Sequence, residues 1–238
     1  MENVNEVRHG LSPILGDGIA NRPFRLNRHS ELIAEVFGPD RAAAEGSRFV
    51  SINPTLGTAI ATTTSITGFD ATKPVMLVQN RNGVGGANII LDYLRLILAQ
   101  VPTSATAWNW AMVVDTINRY TSGGSAITPT NVNTGGAGSG AGIYFGAVVA
   151  PAAGAAVKTV HRSQGRSVIP VTLDEWVFKF GAAPDSGAGS LGGAVALRMP
   201  IPCGPVVLRP GDSWLLYGWG ASNAAAPSWE FELGHTER

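Results

Sequence analysis

The chain has 238 residues, with 17 Lys+Arg against 17 Asp+Glu, and 14% of its residues are charged, against about 25% in an ordinary soluble domain. Zero formal net charge without a dense basic block excludes wholesale phosphate neutralisation, so direct nucleic-acid contact is not expected. A lone cysteine, Cys203, excludes an internal disulfide and a multi-thiolate zinc site, and no stretch reaches the ~20 apolar residues of a membrane helix.

Residues 1–47 read as an extended N-terminal arm. Gly10, Pro13, Gly16, Gly18, Pro23, Gly38 and Pro39 interrupt it, and it carries at most one or two short helices. Ser30 to Phe37 is one, with Ser30 as N-cap and Gly38-Pro39 as the stop; Pro39 to Glu45, closed by Gly46, is the other. The start of the chain lacks a basic stretch followed by an apolar run, so no secretory leader is expected. Arg22-Pro23-Phe24-Arg25-Leu26-Asn27-Arg28 is the one basic cluster; Arg22, Phe24, Arg25, Leu26 and Arg28 are the candidates for docking on an acidic partner surface.

From Arg48 the pattern becomes strand, turn, strand. Runs at 48–52, 58–66 and 75–79 are followed by the turn Asn80-Arg81-Asn82-Gly83. Asn88 to Leu98 fits a helical stripe (Ile90, Leu91, Leu94, Leu98) about as well as a strand; the alternating run Trp108 to Asp115 beyond Pro102 favours a strand paired in a long hairpin. The glycine-rich stretch Thr121 to Gly142 reads as one long flexible loop, and Gly181 to Gly193 as a second. Further strands are expected at 143–149, 157–160, 167–171, 175–180, 194–198, 205–208, 213–219 and 228–233. Nine to eleven short strands without helical crossovers predict an all-β, antiparallel sandwich of jelly-roll type over residues 48–238.

The residues offer no catalytic constellation, and no enzyme activity, cofactor or metal is expected. Gly135 to Gly142 is not followed by Gly-Lys-Ser/Thr, and Gly83 to Asn88 lacks the third glycine of a dinucleotide motif. Cys203, in Pro202-Cys203-Gly204-Pro205, reads as a small residue in a turn, with no local signature joining it to His161 or His235. Glu230 and Glu232 share one face of a strand and read as solvated. Of the six tryptophans most belong in a core or interface, while Trp108 and Trp110, beside a polar loop, are the candidate exposed contact residues, as on a glycan platform.

Thr58 to Thr64, the stretch Val78 to Leu91 with its Asn80-Arg81-Asn82-Gly83 loop, the Pro210-Gly211 turn before Ser213-Trp214-Leu215-Leu216, and the closing Trp229-Glu230-Phe231-Glu232-Leu233 resemble tailed-bacteriophage virion proteins, jelly-roll-like chains that decorate or fasten the capsid. The resemblance covers about residues 48–238 and carries no active-site residue across. It implies a homo-oligomer, a trimer in the first instance, docked on the major capsid protein at the virion exterior after synthesis in the host cytoplasm. Near-neutral charge agrees with close packing of many copies. The arm mixes Glu2, Glu6 and Asp17 with its arginines, which favours protein over genome contact. A receptor- or glycan-binding β-sandwich module and a jelly-roll capsid subunit are the alternatives.

Overall fold

The structure is a computed structural model that describes residues 39–63, 67–101, 108–150, 157–164, 170–181, 198–220 and 226–238. A short helix, α1 (Pro39–Ala44), precedes fourteen strands: β1 (Arg48–Ile52), β2 (Ile60–Ala61), β3 (Met76–Asn80), β4 (Ile89–Gln100), β5 (Trp108–Asp115), β6 (Ser122–Ile127), β7 (Thr130–Asn131), β8 (Ala141–Val149), β9 (Lys158–Gln164), β10 (Glu175–Phe180), β11 (Arg198–Cys203), β12 (Val206–Leu208), β13 (Ser213–Gly220) and β14 (Ser228–Glu237). Sheet 1 runs β11-β10-β4-β14-β1-β7, with β12 on β4 and β2 on β14; sheet 2 runs β6-β8-β3-β13-β5-β9.

Within these sheets, eight strands carry the topology. In one sheet β1, β14, β4 and β10 lie side by side; in the other β3, β13, β5 and β9 do, and all six pairings are antiparallel. In chain order the eight therefore fall in sheets 1, 2, 1, 2, 2, 1, 2, 1, which is the interleaving of a jelly roll. The expected all-β sandwich stands. Strands β6 to β8 are an insertion: β8 and β6 widen sheet 2 beyond β3, and β7 adds to sheet 1 beside β1. One pairing departs from the antiparallel rule: β10 and β11 are parallel, joined by a connection long enough to cross over.

The ambiguous run at 88–98 is the long strand β4, but it forms no hairpin with β5, since β4 pairs with β10, β12 and β14 in sheet 1 while β5 lies in sheet 2. The inner side chains of β4 are Ile89, Leu91, Leu94, Leu96 and Leu98. The spacing jumps by three at Asp92, which sits at a register shift opposite Gly234/His235, and this bulge breaks the alternation.

The 121–142 stretch is not one flexible loop. It contains β6 and β7, and its glycines serve close approach. A Cβ on Gly123 would lie 2.4 Å from the Ala147 carbonyl oxygen, one on Gly124 2.6 Å from Val148 Cγ2, and both residues have positive φ. Asn131 and Asn133 tie the next turn down: Asn131 Nδ2 donates to Gly46 O (2.8 Å) and Ala137 O (2.9 Å), Asn133 Nδ2 to Ala44 O (3.1 Å). Those bonds also fasten residues 44–46, which the sequence reading places in the arm, to the sandwich, and Ser47 Oγ closes α1 on Ala42 O. Of the 58–66 run only Ile60–Ala61 is a strand among the described residues. Ser30 to Phe37, most of 167–171, 182–193 and 194–197 lie outside them.

The core lies between the sheets. Trp108, Trp110, Met112, Trp214 and Phe145 from sheet 2 face Leu94, Leu96, Trp176, Phe178, Trp229 and Phe231 from sheet 1. Sheet 2 carries a second apolar cluster on its other face, built from Leu77, Ala111, Val113, Val148, Leu215 and Tyr217, and Leu77 and Leu215 are fully buried there. Phe69 packs on Tyr217 and Trp219 (4.9 and 5.8 Å between centroids), and Tyr217 Oη donates to Ala71 O at 3.0 Å.

Candidate functional site

Trp108 and Trp110, expected to be exposed, are 1% and 0% accessible. Strand β5 is an interior strand of sheet 2, paired on both sides by β13 and β9, so its inward side chains meet the opposite sheet whatever the polarity of the neighbouring loop. The two rings join Trp176 and Trp229 in a four-tryptophan cluster with centroid separations of 5.2 to 5.9 Å, mostly edge-to-face. Gly218 makes the room: a Cβ there would lie 2.7 Å from Trp110 Cζ3 and 3.0 Å from Trp108 Nε1. These tryptophans are core and offer no platform to a ligand.

Arg22, Phe24, Arg25, Leu26 and Arg28 lie outside the described residues. Cys203 ends β11 rather than sitting in a turn, and its thiol donates to the Ile201 carbonyl at 3.6 Å. Burial pushes its pKa up to about 12, so it is held as the unreactive thiol.

Sequence reasoning missed a polar triangle at the end of β14. His235 Nε2 lies 3.3 Å from both Ser139 Oγ and Glu237 Oε1, Ser139 Oγ also donates to Glu237 Oε1, and Gly140 N donates to both Glu237 oxygens at 3.1 Å. The imidazole stacks on Phe49, its register partner, at 5.3 Å. Serine, histidine and carboxylate together suggest a nucleophilic triad, but in a triad the acid holds one ring nitrogen while the other takes the serine proton. Here Ser139 and Glu237 share Nε2, and the Ser139 hydroxyl donates its hydrogen bond to the carboxylate. The triangle is a latch fastening the 131–140 turn to the last strand. The signal was present: His235 and Glu237, two apart on a strand, share a face.

The latch has a pH signature. Burial alone raises the Glu237 pKa, but hydrogen bonds from His235, Ser139 and Gly140 outweigh it and bring the carboxyl down to about 2. A depressed carboxylate stabilises the fold fully above its unfolded value, near 4.5, and loses that contribution as pH falls toward 2. Glu237→Gln is therefore expected to flatten the melting-temperature profile between pH 5 and pH 2; an unchanged profile would show that the latch carries no such linkage.

The outer face of sheet 1 is polar and only half-buried. Glu175 accepts from Arg95 Nε at 2.7 Å and lies 3.2 Å from Arg198 Nε. Glu175 is also the first cause of the rise in the Arg95 pKa. Glu230 and Glu232 share this face as expected, but both are half-buried, and Glu232 accepts from the Tyr93 hydroxyl. Burial first, then that bond, pushes Tyr93 up to about 12. The Tyr93 ring lies over Gly234, where a Cβ would come within 2.3 Å of Cε1. On sheet 2, Tyr120 and Tyr144 stack at 3.5 Å and Arg81 lies 5.4 Å from the Tyr144 centroid, its guanidinium bonded to the Tyr144 hydroxyl.

The sheet edges are closed to strand pairing. On β11, Gly181 N donates to Cys203 O at 2.9 Å, which turns Cys203 and Ile201 toward β10 and the nitrogens of Pro200 and Pro202 toward the open edge, where they have no hydrogen to donate. Edge strand β9 carries Lys158 and Arg162 and a register shift at Val160; β6 has its two positive-φ glycines; β7 is two residues long.

Among the described residues no group of three or more His, Cys, Asp or Glu could hold a metal ion. Comparison with family models, curated proteins and solved structures finds no match.

Proposed function

We propose that the chain is a structural virion protein of a bacteriophage, a subunit that homo-oligomerises and docks on the major capsid protein to decorate or fasten the shell. The observation that carries this reading is the strand order: β1-β14-β4-β10 over β3-β13-β5-β9 is the jelly roll on which viral capsid and lectin domains are built. Fold alone is analogy. Two further features support it: a chain with no net charge, and sheet edges closed to strand pairing, which leave faces, loops and the N-terminal segment as contact surfaces. The glycan-binding alternative, whose contact surface is the loops Thr121 to Gly142 and Gly181 to Gly193, loses Trp108 and Trp110 to the core and part of the first loop to β6 and β7, while 182–193 lie outside the described residues.

The test is co-sedimentation with shells of the phage that encodes the chain. Full-length protein is expected to pellet with shells, and a chain beginning at Pro39 to stay in the supernatant while keeping its β-type circular dichroism. Equal pelleting of the truncated chain would refute docking through the N-terminal segment; failure of the full chain to pellet would refute the shell reading.

A further inference from the structure

We infer that the outer face of sheet 1 is the surface through which two copies of this chain pair, about a two-fold axis running along the strands between β4 and β10. The inference deepens the subunit reading above and rests on it for the expectation that copies associate.

The register of the four long strands decides the matter. Reading across β11, β10, β4 and β14, one row is Arg198, Glu175, Ile97, Glu230; the next is Pro200, Val177, Arg95, Glu232; the third is Pro202, Lys179, Tyr93, Gly234. A two-fold axis down the middle lays each row on its own reverse. In the first row Arg198 then faces Glu230 of the second copy, twice over by symmetry, and Glu175 faces Ile97. In the third row Lys179 faces the Tyr93 ring, which covers Gly234.

The groups this pairing needs are available. The Arg198 side chain is 70% exposed although it touches Glu175, Lys179 is exposed, and neither Lys179 nor Glu230 makes an ion pair among the described residues. Exposed Ile52 and Val207 flank the rows. Four strands about 4.8 Å apart and the flanking β1 span roughly 20 Å, and face-to-face contact over that width buries on the order of 1,000 Å² in total, the lower bound of a specific interface. The alternatives are weaker: the edges resist strand pairing, and the apolar centre of the opposite face of sheet 2 is already buried. Isologous two-fold pairing is also the commonest closed symmetry.

The test is sedimentation equilibrium of the full chain with charge swaps. Glu230→Lys and Arg198→Glu are each expected to weaken self-association by about tenfold or more, because each puts like charges opposite one another twice. The double swap Glu230→Lys/Arg198→Glu is expected to restore it. Lys179→Glu, at an exposed site outside any ion pair, is a second probe expected to weaken association without touching the fold. Association insensitive to these changes, or single losses that the double swap does not restore, would overturn the two-fold pairing while leaving the shell reading to its own co-sedimentation test. A chain that stays monomeric would overturn the pairing outright.

Discussion

Replacing Trp110 with alanine is expected to cost about 3–5 kcal/mol of unfolding free energy, a large share of the margin of a domain whose total is about 5–15 kcal/mol. The ring is fully buried and touches Trp108, Trp176, Trp229 and Phe178. Those neighbours come from three strands in two sheets, so they cannot collapse together into the space left behind. Gly218→Ala reaches the same cluster from the other side. It adds one methyl 2.7 Å from Trp110 Cζ3 and is expected to cost about 1–3 kcal/mol by overpacking. Urea unfolding followed by tryptophan emission measures both, and the native chain should emit at the short wavelengths of indoles removed from water. A loss below about 1 kcal/mol for Trp110→Ala would mean an exposed ring.

The second large effect is electrostatic. Asp115 and Arg119 form an ion pair at 3.1 Å with side chains 0% and 1% exposed. Asp115 is the last residue of β5, in register with Ser213, whose hydroxyl accepts from Arg119 N (3.2 Å) and donates to Ile117 O (2.7 Å). The pair and Ser213 thus hold the turn between β5 and β6 against β13. Asp115→Ala removes the carboxylate from beside a buried guanidinium and is expected to cost about 3–5 kcal/mol, whereas Asp115→Leu with Arg119→Met, which removes both charges and keeps volume, is expected to recover much of that loss. Thermal melts of the single and double variants separate these outcomes. Equal losses in both would show that packing, not charge, is what the pair supplies.

The strands legible in the sequence are those whose signal is local. Met76 to Asn80, Glu175 to Phe180 and Ser213 to Gly220 are compact β-branched or aromatic runs bounded by Pro, Asn or Gly, and the structure places strands there almost residue for residue. Where the reading failed, the cause was tertiary. The bulge at Asp92 imposed on β4 a spacing that imitates a helix. Gly123 and Gly124 looked like flexibility and are instead positions where backbone and a valine leave no room for a side chain. The loop beside Trp108 and Trp110 suggests exposure, whereas their burial is set by β5 being paired on both sides with this face turned to the opposite sheet. Ser139 and Glu237 meet across 98 residues, and that contact has no local signature. The charges on sheet 1 follow the same logic: Glu175 and Arg198 come from two strands, and only the register shows that they form one row with Glu230 and that Arg95 stands in the next row beside Glu232.

The proposal that this chain packs against copies of itself and against a shell stands or falls first on self-association. Light scattering coupled to size exclusion on the full-length protein tests it most directly. A particle of at least twice the 24.7 kDa chain mass, persisting at micromolar concentration, is expected. A particle of one chain mass at every concentration up to the solubility limit would contradict it.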